Sequence, residues 1–118
     1  MVEDPIIEKE KTLTIGQITK MVSDFANIPV SVLKGEEQNK LVTCARYVCF
    51  HFIRLHVTQQ GNRGKISYKT IGSYFNRHHT TVLTGKKKIK NVLFTKEEIY
   101  INLMNATENK IEEYLAKN

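Results

Sequence analysis

The chain has 118 residues, of which 25% are charged, and its formal net charge is +6. A chain of this length buries roughly two-thirds of its unfolded surface, which suffices for one core without a structural metal or disulfides. No apolar run approaches the ~20 residues of a membrane-spanning helix, and the acidic, polar N-terminus does not resemble a signal peptide. We expect a cytoplasmic protein with no membrane partner. Residues 1–13 would form a flexible acidic tail and residues 14–118 a single domain.

Three helices are predicted in the first half of this domain. Thr14 and Gln17 have the spacing of a capping box, which marks the start of the first helix. Pro29 is suited to open a short second helix, which Gly35 would stop. One broad apolar stripe over residues 39–56 predicts the central helix of the core. The apolar positions expected in the core from the first and third helices are Ile15, Ile18, Met21, Val22, Phe25, Leu41, Val42, Ala45, Val48, Cys49, Phe52 and Ile53.

Two helices joined by a tight turn are predicted next, after a polar, Gly-bearing loop at residues 58–65. Ser67 is suited to cap the first of them, in which Gly72 is expected at a close approach of another helix. The second helix is predicted to begin near His79. A second capping box at residues 95–98 predicts an added C-terminal helix over 95–117. Its apolar face would contain Ile99, Leu103, Ala106, Ile111, Tyr114 and Leu115.

This pattern predicts an all-α fold, a compact helical bundle that contains a helix-turn-helix. The residue types that would indicate an enzyme, a metal site or a cofactor are not arranged for those purposes. Cys44 and Cys49 form no Cys-x-x-Cys motif, so we expect buried thiols in a reducing compartment. His78 and His79 have no carboxylate or suitably spaced cysteine near them in sequence. We expect no metal and no cofactor.

Catalysis is also not expected. The basic part of the chain offers no clustered carboxylates for a metal-dependent nuclease. No Gly-x-x-x-x-Gly-Lys-Ser/Thr phosphate loop is present, so ATPase activity is not expected. We expect no small-molecule substrate.

The charged residues are distributed unevenly along the chain. The 59 residues from Gln38 to Lys96 contain twelve lysines and arginines and no aspartate or glutamate, whereas the other 59 contain six basic and twelve acidic residues. A long acid-free basic stretch is the electrostatic pattern of a protein that binds a polyanion, because each neutralised phosphate releases counterions. A polyanion such as double-stranded DNA is therefore the partner we expect.

The segment Arg77-His78-His79-Thr80-Thr81-Val82-Leu83 carries five hydrogen-bonding side chains at the start of a predicted helix, and four lysines follow at 86, 87, 88 and 90. This is the layout of a helix-turn-helix DNA reader. The segment resembles the Arg-Asp-His-Thr-Thr-Val-Leu motif of the C-terminal DNA-binding domain (domain IV) of the bacterial replication initiator DnaA. The resemblance runs from Thr14 to Leu93 and includes Val30–Leu33, Ala45-Arg46, and Ile71-Gly72 with Phe75.

The resemblance implies a Trp-repressor-like helical domain that binds a short duplex site, and it implies roles for individual residues. His79 and Thr80 match residues that meet base edges, and Tyr68 and Lys69 fall where the family touches thymine methyl groups. Thr81, Arg46 and Arg77 match phosphate-binding positions, and Lys88 matches a basic residue that trails the recognition helix. The full prediction is base reading by Tyr68, Lys69, His78, His79 and Thr80, and phosphate binding by Lys40, Arg46, Arg63, Arg77, Thr81, Lys86 and Lys88.

The chain departs from the family pattern at the motif's aspartate, which is His78 here. A carboxylate only accepts hydrogen bonds and so reads the cytosine amino group, whereas a histidine can donate to guanine N7 or O6. We therefore expect a preferred site that differs from the family's at this base pair.

Two loops depart as well. The loop before the central helix, which is Arg-rich in the family and reaches the minor groove, contains Glu36 and Glu37 here and retains only Lys40 as a cation. Minor-groove contact is expected to be weakened. The loop at residues 58–65 is longer than in the family and carries Arg63 and Lys65, which could supply backbone contacts instead.

We predict a stand-alone, nucleoid-associated module that binds duplex DNA sequence-selectively, in replication-origin control, transcription control or a mobile element. The alternative is a protein-interaction adaptor that derives from the same fold and has lost specific DNA recognition. We expect a monomer, with a homodimer interface on the C-terminal helix as the other possibility.

Overall fold

The computed structural model describes residues 13–57 and 65–116. The regular elements of these residues are six α-helices, which confirms the all-α prediction. They are α1 (Ile15–Ala26), α2 (Val30–Leu33), α3 (Lys40–His56), α4 (Tyr68–Tyr74), α5 (His79–Thr95) and α6 (Glu98–Ala116). The predicted acidic tail, apart from Leu13, and the loop with Arg63, apart from Lys65, lie outside the described residues. In the part that is described, no helix is long and apolar enough to span a bilayer.

Side-chain caps fix the starts of the first helices. The Thr14 hydroxyl accepts from the Gln17 amide at 3.1 Å, and the Gln17 side chain accepts from the Thr14 amide at 2.9 Å, which confirms the capping box. Asn39 caps α3 and Ser67 caps α4 in the same way, each accepting from an amide three residues on. Each cap satisfies an amide that has no partner inside its helix.

The second predicted capping box is wrong. Thr95 is the last residue of α5 and does not cap the next helix, because the apolar spacing of α5 continues to the buried Val92 and carries the helix on to Thr95. Lys96 ends α5 in the left-handed conformation, with φ of 60°. The C-terminal helix α6 therefore begins at Glu98.

The central helix of the fold is α3, which packs against all five other helices. Most of the predicted apolar stripe of α3 is buried, but Leu41 is 42% exposed. Phe25 in α1, which was also expected in the core, is 48% exposed. These two expected core residues instead line an open groove between α1, α3 and α6. The buried face of α6 also differs from the prediction, because Leu115 is exposed and the helix buries Tyr100, Leu103, Met104, Thr107 and Ile111.

Candidate nucleic-acid interface

A four-residue turn joins α4 to α5 and depends on the absence of a side chain at Gly72. The Arg77 amide donates to the Gly72 carbonyl at 2.8 Å. A Cβ atom at Gly72 would lie 2.6 Å from the Arg77 carbonyl oxygen. The glycine is thus required by the close approach of the turn's backbone and of His78, the N-cap of α5. Asn76 takes the left-handed conformation in this turn, with φ of 59°, which asparagine tolerates better than most residues.

The recognition helix α5 begins at His79, as predicted, and its N-cap is His78. The His78 Nδ1 atom accepts from the Thr80 amide at 3.2 Å and lies 3.0 Å from the Thr80 hydroxyl. An Nδ1 atom that accepts an amide hydrogen bond carries no proton, so the proton of the neutral ring is on Nε2. The exposed imidazole of His78 therefore presents an Nε2–H donor outward.

One face of α5 is exposed and the opposite face is buried on α3. His79, Thr80, Thr84 and Lys87 are exposed, and Lys90 continues this polar face toward the end of the helix. The buried face is formed by Val82, Gly85, Ile89 and Val92. Because α5 is buried on one side only, its first two turns are accessible to a large ligand.

Gly85 is a structural residue that the sequence analysis did not single out. A Cβ atom there would lie 2.7 Å from the ring of Tyr47 and 2.9 Å from the ring of Phe50, both in α3. A lone glycine within an otherwise helical pattern was the available signal, because it costs ~1 kcal/mol relative to alanine and so indicates a packing reason for its presence.

Two of the predicted phosphate-binding arginines are bound to carbonyl groups at the end of α2 and in the loop between α2 and α3. Arg46 is 2% exposed, and its guanidinium donates to the carbonyls of Leu33 at 2.8 Å and Glu37 at 3.0 Å. Burial, and then the neighbouring charge of Arg77, lower the pKa of Arg46 from its ordinary value. Arg77 donates to the Gly35 carbonyl at 2.6 Å.

Asn76 adds a third contact by donating to the Lys34 carbonyl at 3.2 Å. We refer to Arg46, Asn76 and Arg77, with the carbonyls that they bind between residues 32 and 37, as the carbonyl brace. The brace ties the turn of the helix-turn-helix to the loop that carries Glu36 and Glu37.

The lysines of α5 differ in their partners. Lys88 forms an ion pair of 2.9 Å with Glu97 and lies 5.5 Å from the ring centre of Tyr100. Lys86 donates to the Tyr68 hydroxyl at 2.9 Å, which brings two predicted DNA contacts together. Lys87 and Lys90 are exposed and have no carboxylate partner among the described residues. Lys40 and Lys69 are also exposed.

Two cavities flank α5, one on each side of its exposed face. The cavity beside the carbonyl brace has a volume of about 270 Å³ and a polar lining, which includes Thr81 and Arg77. The cavity on the other side has a volume of about 370 Å³ and lies between α3, α4 and α5. The predicted phosphate contact Thr81 is thus half-buried beside an arginine.

Comparison with known proteins agrees with this geometry. Residues 15–89 match the family described as the bacterial dnaA protein helix-turn-helix. The chain is similar to the chromosomal replication initiator protein DnaA of Geobacter metallireducens (30% identical over 94 residues), of Geotalea daltonii (31% over 100) and of Treponema pallidum (31% over 96). These matches cover 79%, 84% and 80% of this chain but 19%, 21% and 19% of the relatives. The chain therefore spans about a fifth of the length of the relatives that it matches.

Proposed function

This chain belongs to the bacterial DnaA helix-turn-helix family, and from that premise we propose that it binds duplex DNA sequence-selectively, with the first turns of α5 in the major groove. The observation that carries the proposal is the exposed polar tip of α5, which lies within 59 consecutive residues that contain no carboxylate. A helix fits the major groove, where each base pair presents a distinct pattern of donors and acceptors. The proposal is a binding function and assigns no catalytic step to the chain.

Base reading is assigned to His78, His79 and Thr80 at the start of α5, with Tyr68 and Lys69 at the start of α4. The tautomer of His78 supports a specific preference. Its cap leaves Nε2–H as a donor, and guanine N7 and O6 are the acceptors in the major groove that suit one. We propose that His78 selects guanine where the family's aspartate selects cytosine.

Phosphate binding is assigned to the residues that flank this tip. Thr81 lies in the polar cavity beside Arg77, where backbone amides of the first turn of α5 favour an anion. Lys86, Lys69 and Lys40 are further exposed cations that we assign to phosphates, and Lys40 lies on the side of Glu97, away from the tip. We add Lys87 and Lys90, which sequence reasoning did not place among the contacts and which the fold leaves without a carboxylate partner among the described residues.

Arg46 and Lys88 have smaller roles in this proposal. The guanidinium of Arg46 is buried against carbonyl groups, and the ammonium of Lys88 is paired with Glu97. A phosphate contact by either residue would first have to replace these interactions, and so we infer that both act chiefly by positioning α5.

Selection from random duplexes, followed by titration of the best duplex, tests the proposal. Sequence-selective binding should return one short site, and a reader with ~6 phosphate contacts should lose on the order of a thousandfold in affinity between 50 and 200 mM salt. Lys110→Gln, which removes an exposed lysine of α6, serves as the control and should leave the affinity unchanged. An adaptor without DNA recognition would return no enriched site and no comparable affinity.

A further inference from the structure

The larger cavity beside α5 has an apolar floor. Phe50 of α3 and Val82 of α5 are each 1% exposed and form its base. At its mouth, Leu55 is 51% exposed, although it is a large aliphatic residue. The volume of about 370 Å³ lies within the ~300–1,000 Å³ of pockets that bind small molecules.

The rim of this cavity is cationic. The guanidinium of Arg54 lies 4.2 Å from the ring centre of Tyr68, and the ammonium of Lys86 bonds the hydroxyl of that tyrosine. The hydrogen bond from Lys86, and then the charges of Arg54 and Lys65, lower the pKa of Tyr68 from its ordinary value. The positive charges thus converge on one aromatic ring at the edge of the apolar floor, and no carboxylate among the described residues lines the cavity.

The lining of the cavity also includes an uncharged polar group, the imidazole of His51. Burial, followed by the neighbouring His56, lowers the pKa of His51, so its imidazole is neutral near pH 7. The cavity therefore combines an apolar floor, a cationic rim and one neutral hydrogen-bonding ring. An uncharged apolar ligand would leave the rim unused, whereas a compact inorganic anion would leave the floor unused.

We propose that this cavity is a binding site for a small organic anion with an apolar body of one or two rings. The ring system would rest on Phe50 and Val82, and the anionic group would meet Lys86 and Lys65. Arg54, whose guanidinium already donates to the Ile66 carbonyl, would add its charge at the rim. We expected no small-molecule substrate from the sequence. The lining residues come from α3, α5, the start of α4 and the segment before it, and they share no motif that would have indicated this cavity.

The proposed site shares Tyr68 and Lys86 with the proposed DNA surface. A ligand that neutralises Lys86 occupies a cation assigned to a phosphate, so ligand and duplex compete. This second part rests on the proposed function, whereas binding to the cavity does not.

Two fluorescent dyes with the same ring system test the site in the absence of DNA. Anilinonaphthalene sulfonate carries one negative charge, and phenylnaphthylamine is its uncharged counterpart. We expect one molecule of the sulfonate to bind, about tenfold more tightly than the uncharged dye, as a charge-assisted hydrogen bond would give. Equal affinity of the two dyes would overturn the proposal, because the cationic rim would then contribute nothing.

Matched variants of α3 locate the bound dye. Leu55→Asp places a carboxylate at the mouth of the cavity and should weaken sulfonate binding about tenfold or more. Leu41→Asp changes another exposed leucine, at the other end of α3, and should leave sulfonate binding unchanged. The exposed Lys65 offers a second variant, Lys65→Gln, which should weaken the sulfonate and leave the uncharged dye unaffected. Loss of sulfonate binding in Leu41→Asp alone would place the dye in the groove between α1, α3 and α6, which Leu41 lines, and would overturn the proposal.

A duplex that carries the selected site tests the competition. Saturating duplex should displace the sulfonate from the protein, and a dye that remains bound would refute the competition. If the protein binds no duplex, the proposed function fails while the dye titrations still decide the cavity. The two failures are therefore distinguishable.

Discussion

The tip of α5 and the carbonyl brace both carry hydrogen-bond donors, but the fold uses them differently. In the brace, Arg46 and Arg77 direct their donors at carbonyl groups of the chain itself. At the tip, His79 and Lys87 are exposed, with no carboxylate partner among the described residues. A side chain whose donors are satisfied by the chain's own backbone is a structural residue, whereas an exposed one without such a partner is available to a ligand. Each of the following substitutions tests this difference.

The largest expected effect is the loss of stability when an arginine of the carbonyl brace is replaced. Arg46→Met should lower the free energy of unfolding by about 3–5 kcal/mol, because each buried carbonyl that loses its partner costs about 1–3 kcal/mol. Urea denaturation measures this. Lys69→Met, which removes an exposed cation, should change the stability by less than about 0.5 kcal/mol. If the Arg46→Met variant were stable but had lost its affinity for DNA, Arg46 would bind phosphate, as the sequence predicted.

The turn between the two regions should be nearly as sensitive. Gly72→Ala forces a Cβ atom against the Arg77 carbonyl and should cost about 1–3 kcal/mol, the range for overpacking. Gly16→Ala is the matched control, since its Cβ atom would meet nothing closer than 3.8 Å. Gly16→Ala should be neutral or stabilise α1 by up to about 1 kcal/mol. Equal melting temperatures of the two variants would show that the turn relaxes.

At the tip, the effect should fall on DNA recognition and leave stability unchanged. His79→Ala should reduce the discrimination between the selected duplex and a single-base variant by about 1–3 kcal/mol. Its free energy of unfolding should stay within about 0.5 kcal/mol of the wild type. Fluorescence anisotropy and urea denaturation measure the two quantities. Uniform weakening on every duplex would mean that His79 binds phosphate and does not read a base.

The two lysines Lys87 and Lys88 provide a comparison between adjacent residues. Lys87→Gln should reduce the slope of log affinity against log salt by about 1, because one phosphate contact is lost. Lys88→Gln should reduce it less, because Lys88 is already paired with Glu97. Equal changes in slope would show that DNA displaces Glu97.

The smallest expected effect is a change in melting temperature when the ion pair between Lys88 and Glu97 is removed. The hydrogen bond from Lys88 lowers the pKa of Glu97 below its ordinary value of 4.5. A group with a lowered pKa in the folded state contributes stability above its unfolded pKa and loses that contribution as the pH falls through its folded pKa. Glu97→Gln should therefore melt slightly below the wild type at neutral pH, and the difference should vanish in acid. A difference in melting temperature that does not depend on pH would exclude the charge of Glu97 as its cause.

Local chemistry explains what could be predicted from the sequence. Thr14 and Ser67 each mark a helix start through a bond to an amide three residues on, and the segment beginning at Arg77 identified the recognition helix. Such signals lie within a few residues of their effects.

The partners of the charged side chains could not be predicted in this way. Arg46 meets carbonyls nine to fourteen residues away in sequence, and Asn76 meets one at a separation of 42. A sequence pattern shows that a cation is present, but the packing of distant segments decides what it binds. For the same reason Leu41 satisfied the apolar periodicity of α3 and yet lies at an open groove.

Gly85 determines the distance between the recognition helix α5 and the core helix α3. With no side chain between them, the rings of Tyr47 and Phe50 support the middle of α5 directly. Any larger residue would raise that midpoint and tilt the leading turn, so the reach of His79 into a groove depends on a position far from any nucleotide. A substitution at this contact between α5 and α3 would thus change the affinity for DNA, although every residue that faces the duplex stays the same.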